Sequence, residues 1–202
     1  PILAAKRDAT GRLADLGDTE GDAKGGKLES LMHIEIAIEG EDMADRVRDN
    51  LRAVLSDVRL SVTDWQALRR ETAHFAADFD SARPGVTAEQ AEEVADFLRW
   101  LHDDHFTFLG YRRFGVEGKG KARTLKIDNT NSLGILKKTQ RMIFEGIADG
   151  APVPAQFAAF LDSPGALFVV KANQRSTVHR RVHFDVVALK IFDAKGNVTG
   201  MH

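Results

Sequence analysis

Between Val94 and Phe114 the spacing of apolar residues switches from the period of a helix to that of a strand. Val94, Phe97, Leu98 and Leu101 recur at helical intervals, and "FTFLGYRRF" then reads as a strand. A chain with this pattern must turn a helix end directly into a sheet. The residues that make the turn are His102, Asp103, Asp104 and His105. If the helix persists that far, His105 lies on the stripe of Leu98 and Leu101, and Asp103 faces the opposite way. The start of the helix is equally legible. Thr87-Ala-Glu-Gln90 has the pattern of a capping box, in which the Thr87 hydroxyl and the Gln90 side chain each satisfy a backbone amide.

The same period test organises the rest. "PILAAKR", a turn at Asp8–Gly11 and "RLADL" predict a hairpin. Residues 17–27 are rich in glycine and charge and read as a loop. "LESLMHIEIAI" alternates and predicts a strand, with a helix from Glu41 carrying Met43, Val47, Leu51, Val54 and Leu55 on one face. A second helix is expected from about Val58 to Phe79 through Val62, Trp65, Thr72 and Phe75, and a break at 81–85. After "RTLKID", short helical pieces are expected around Arg141–Ala148 and Ala155–Leu161. "ALFVVKA" and the long alternating "VHRRVHFDVVALKIF" are strands. Val198–His202 begins another, whose neighbour is expected to present an open row of backbone donors and acceptors. The fold class is α+β, mainly antiparallel sheets with packed helices.

Composition narrows the function classes. With 43% hydrophobic residues a core is affordable, and a net charge of -2 gives no general attraction to nucleic acid or to anionic membranes. There is no cysteine, so disulfides and thiolate metal sites are excluded. No apolar run approaches the roughly 20 residues of a membrane span, and "PILAAKRDATGRL" has no signal-peptide core. The expected setting is cytoplasmic. Pro1 in place of a methionine and a strand under way at the other end lead us to expect a segment of a longer protein.

Two stretches could carry chemistry. His102 and His105 are three apart and could share a metal, but zinc needs at least a third protein ligand. An acid/base role for Asp103 and Asp104 lacks a nucleophile and an oxyanion hole. A metal-dependent or acid/base domain built on 102–105 is therefore the alternative, and an architectural corner the main reading. Two carboxylates in the last turn oppose the helix dipole. Compensation is expected from Arg99 and from Arg112 or Arg113, with His105 at least partly buried. The second stretch, "KANQRSTVHRRVHFD", is the most basic. Lys171, Asn173, Arg175, Ser176, His179 and Arg180 are candidates for an anion, an effector or an interdomain contact, and a solvated strand face is the plainer reading. No dinucleotide fingerprint, phosphate loop or hydrolase elbow is present. No catalytic, cofactor-binding or metal residue is assigned.

"ESLMHIEI" (29–36), "EVADFLRWLHDDHFTFLGYRRF" (93–114) and "KANQRSTVHRRVHFDVVALKIFD" (171–193), in this order, resemble the N-terminal region of the large bacterial NAD-dependent glutamate dehydrogenases. The resemblance implies a non-catalytic region of ACT-like (ferredoxin-like, βαββαβ) regulatory units. It implies NAD and oxidative deamination of L-glutamate to 2-oxoglutarate for the parent enzyme, and no cofactor here. Its partners would be the rest of the parent chain, other subunits of a homo-oligomer and a small effector such as an amino acid. Residues 1–80 would be the C-terminal part of one ACT-like unit with a following helix, 84–165 a linking α+β unit, and 166–202 the start of a further unit.

Overall fold

In a computed structural model of the chain, the described residues are 2–17, 26–37, 40–79, 85–138, 144 and 146–202. Most of the expected loop at 17–27 and of the break at 81–85, and half of the helical piece at 141–148, lies outside them. The chain divides into two units, 1–47 and 48–202.

In the first unit the expected hairpin forms. β1 (Ile2–Arg7) pairs antiparallel with β2 (Leu13–Gly17) and, on its other side, with β3 (Lys27–Ser30). The Asp8 carboxylate closes the turn by accepting from the Thr10 and Arg12 amides. Arg7 clamps Glu29 through two hydrogen bonds of 2.7 and 2.6 Å. The strand expected over 28–38 stops at Ser30; residues 31–37 have no strand pairing, and Met32, Ile34 and Ile36 are exposed. Alternation gives a residue a face, but a strand also needs a neighbour to hydrogen-bond.

α1 (Glu41–Phe79) is one uninterrupted helix where the sequence suggested two. Toward its end the expected Thr72 and Phe79 are buried, but between Leu51 and Trp65 it turns an unexpected face inward. Asp57, Ser61, Asp64, Leu68, Thr72, Ala76 and Phe79 are buried, whereas Leu51, Leu55, Val62 and Trp65 are exposed. α2 (Ala88–Trp100) starts at the capping box, with Thr87 and Gln90 exchanging 3.2 Å hydrogen bonds.

The sheet of the second unit contains β4 (Gly110–Glu117), β5 (Thr124–Gly134), β6 (Leu167–Arg175), β7 (His183–Phe192) and β8 (Val198–Met201). Its order is β5-β4-β8-β7-β6 and every pair is antiparallel. Strand alternation splits β7 between two cores. Val187 and Leu189 pack with Ala76, Val94, Leu98 and Leu101 of the helices. Phe184, Val186 and Ala188 pack with Phe157 and Phe160 of α3 (Ala155–Asp162). The sheet is thus a middle layer. A bulge between Ile191 and Phe192 shifts the register, so that Phe192 joins the α1/α2 side.

β8 lies between β4 and β7, so one sheet draws strands from both of the expected stretches 84–165 and 166–202. Long-range pairing leaves no local trace in composition. The connectivity differs from a βαββαβ unit, in which two helical crossovers flank a single hairpin. Here a β6-β7-β8 meander is joined to a β4-β5 hairpin.

Candidate functional site

The helix α2 runs on for one wider, π-type turn, Leu101–His105, and breaks at Asp103 and Asp104. Asp104 adopts φ +57°, the left-handed region, which ends the helix and directs Phe106 into extended backbone. Arg69 of α1 holds the corner. Its guanidinium donates to the His102 carbonyl at 3.1 Å and lies 3.3 Å from the Asp104 carboxylate. Arg99 donates to Asp96 at 2.7 Å, and Arg113 sits opposite Asp128 in the ladder. His105 is exposed rather than partly buried. Its ring stacks on Trp100 at 4.7 Å, and Nδ1–H donates to the Trp100 carbonyl at 2.8 Å. The aromatic face and the open carbonyl of a broken helix end draw it outward from the apolar stripe.

Arg112 belongs to a different structure. It is buried and donates to Ser132, to the Lys138 carbonyl and to the Leu136 carbonyl, bracing the turn after β5. Burial lowers its pKa from the ordinary arginine value. α1 grips the same turn. The Asp64 carboxylate accepts from the Gly134 amide at 2.7 Å and from Lys137 at 2.9 Å. Burial pushes the Asp64 carboxyl up, but Lys137 and the Gly134 amide together hold it below the usual carboxylate range. Two helical turns earlier, Asp57, 2% exposed, accepts from Lys138 at 2.7 Å and from the Thr177 hydroxyl at 2.9 Å. Gly134 is required there: its φ is +59° and a Cβ would collide with the Leu109 carbonyl.

Thr177 connects this network to the basic stretch. Ser176 is buried, with its hydroxyl donating to the Val178 carbonyl and accepting from the Val178 amide. His179 follows at φ +66°. Asp104 and His179 are the non-glycine residues with positive φ among those described, one in each singled-out stretch. Lys171 pairs with Asp185 at 2.5 Å across the β6–β7 ladder, and Asn173 and Arg175 are exposed.

The two stretches meet at a cleft of about 660 Å³, within the range of small-molecule sites. Phe97, Trp100, His105 and Phe106 to Arg112 line it from one stretch. Ser176, Val178, His179, Arg180 and Val182 to Leu189 line it from the other. Lys171, Asn173 and Arg175 are not among its lining. Arg99, His102 and Asp103 line a separate hollow with Ala73, Ala76 and Ala77. Among the described residues, no three His, Asp or Glu side chains gather around one metal position.

The cleft contains a pair that the sequence did not single out. The Tyr111 hydroxyl lies 2.7 Å from His202 Nδ1, and Phe75 packs on the His202 ring at 4.4 Å. Burial, with the charges of Glu71 and Asp128 adding and Arg113 opposing, pushes the Tyr111 phenol up to about 12. It is a hydrogen-bond donor at neutral pH. Of the charged side chains described above, Arg112 lines the cleft and is engaged with Ser132 and two carbonyls. Arg69, Asp57 and Asp64 stand outside it, on Asp104 and the His102 carbonyl, on Lys138 and Thr177, and on Lys137 and the Gly134 amide.

Over 201 residues, 98% of its length, the chain is 31% identical to the NAD-specific glutamate dehydrogenase of Pseudomonas aeruginosa. The chain is related to the NAD-specific glutamate dehydrogenases. The Halomonas elongata dehydrogenase of that name is 28% identical over 202 residues, and that of Mycobacterium tuberculosis 30% identical over 119. The chain spans 12% of the length of the first two dehydrogenases and 7% of the third. No family model and no solved structure matches it.

Proposed function

We propose that this chain is a non-catalytic regulatory or assembly segment of a large cytoplasmic NAD-dependent glutamate dehydrogenase. The whole enzyme would oxidatively deaminate L-glutamate to 2-oxoglutarate with NAD, and would act as a homo-oligomer. One observation carries the reading: end-to-end similarity to 12% of such dehydrogenases, in a stretch whose charged side chains fasten backbone. The ACT-like label rests on the sequence resemblance, since the sheet order differs from βαββαβ.

The cleft would be the effector site. It is mainly apolar, and Tyr111, Arg180 and Asp185 are among its polar groups, a combination that suits an amino acid with an apolar side chain. Calorimetry of the whole enzyme with the proteinogenic amino acids tests this. A ligand is expected whose affinity falls at least about tenfold in Tyr111→Phe, the loss of one hydrogen bond of about 1.4 kcal/mol. No binding by any amino acid, or binding indifferent to Tyr111→Phe, removes the effector reading.

A further inference from the structure

The cleft has an unusual shape for a pocket between layers. Consecutive residues of β7, from His183 to Leu189, all line it. Successive strand side chains point to opposite faces of a sheet. A cavity touched by all of them must therefore lie beside the strand, in the plane of the sheet.

Strand pairing says the same. Among the described residues, Val186, Val187 and Ala188 of β7 pair with β6, and Gly110 and Tyr111 of β4 pair with β5. β8 fills the space between β4 and β7 only opposite Phe114–Gly115 and Lys190–Phe192. The main chain of Leu189 then exchanges two hydrogen bonds with His202, at 3.2 and 2.8 Å. Beyond them lies the slot. Lys190 donates to Ala166, on the β6 side. Antiparallel pairing alternates direction residue by residue, so the backbone groups of Val187 and Asp185, like those of Leu189, point into the slot.

We propose that the slot receives one more length of β-strand: the polypeptide that continues β8 past His202 in a longer chain. Its direction follows from β8, antiparallel to both β4 and β7. Its register follows from the Leu189–His202 pair: the second residue after His202 lies opposite Val187. Its chemistry follows from the walls. On one face it meets the core of Phe184, Val186 and Ala188, and on the other Phe75, Tyr111 and Val187. Both faces being covered, the strand is apolar throughout, unlike the alternating strands of half-exposed sheets. Completing the sheet joins the β4–β5 hairpin to the β6–β7 hairpin along their whole length and removes two open edges. The effector reading is not needed for this; a strand in the slot would occupy the same cleft, so the two proposals compete for its central part.

Hydrogen exchange on the full-length protein decides it, with the Ile191 amide, opposite Gly200 in β8, as the internal reference. The amides of Asp185 and Val187 are expected to exchange within about tenfold of Ile191, and the second residue after His202 is expected to be protected with them. In the 202-residue chain the same two amides are expected to exchange roughly a hundredfold faster than in the full-length protein. Free exchange of Asp185 and Val187 in the full-length protein, beside a protected Ile191, overturns the proposal. So does protection of those two without protection of the residues after His202, which means another occupant. Equal protection in the 202-residue chain, including protection that appears only at high concentration through a second copy, overturns it as well.

Discussion

Asp57, almost fully buried on α1, accepts a 2.7 Å hydrogen bond from Lys138, whose own side chain is partly in water. The carboxylate's other oxygen takes the Thr177 hydroxyl. A single buried charge thus ties the turn after β5 to the connection between β6 and β7. Asp57→Ala leaves Lys138 able to reach solvent, so the loss is smaller than for a fully buried pair, about 2 kcal/mol against the roughly 3–5 typical there. Urea unfolding measures it. A change below about 0.5 kcal/mol would show that the network is incidental.

Asp64 gives the network a pH signature. Its folded pKa lies below the ordinary carboxylate value, so its contribution is present above the unfolded pKa of about 4 and is lost as pH falls through the folded one. Comparing unfolding midpoints above and below about pH 4, the wild type is expected to lose more stability on acidification than Asp64→Asn. Parallel acid profiles for the two would contradict the assignment.

Tyr111 is the single tyrosine of the chain, so its titration can be read directly by absorbance. A midpoint near 12 is expected in the folded protein, falling to about 10 in denaturant. Because the folded state holds this proton more tightly, the stability it contributes declines as pH rises above about 10. A folded midpoint near 10 would mean that Tyr111 is not enclosed with His202.

Asp104 and His179 share left-handed backbone and test whether the two singled-out stretches serve as corners. Asp104→Gly relieves the conformation while giving up the pairing with Arg69. At 81% exposure that pairing contributes little, so the net change is expected within about 0.5 kcal/mol. Asp104→Val and His179→Val place branched side chains at positive φ and are expected to cost about 1–2 kcal/mol each. Thermal melts check all three. Equal tolerance of glycine and valine would show that these backbones relax.

The helix end, the capping box, the hairpin and the α+β antiparallel character were legible because each rests on a local period or a short motif. The partner of Asp104 was not, since Arg69 lies on another helix, 33 positions from the His102 it also holds. The face of α1 was misread for a related reason. Leu51, Leu55, Val62 and Trp65 mark an apolar stripe, yet Asp57 and Asp64 point inward to meet Lys138, Thr177 and Lys137, and Ser61 to donate to the Asp57 and Leu109 carbonyls. Asp57, Ser61 and Asp64 do recur at i, i+4 and i+7, a signal that hydrophobic periodicity alone passes over. The in-plane cleft was beyond local reading because it follows from the position of β8 between two hairpins.

Glutamate-dependent NADH formation by the purified 202-residue chain tests the central claim most directly. The account predicts none above the buffer rate at any NAD or glutamate concentration, with the corner substitution Arg69→Ala altering stability alone. Turnover that persists through purification and disappears in Asp104→Asn or His105→Gln would contradict it and return the chemistry to residues 102–105.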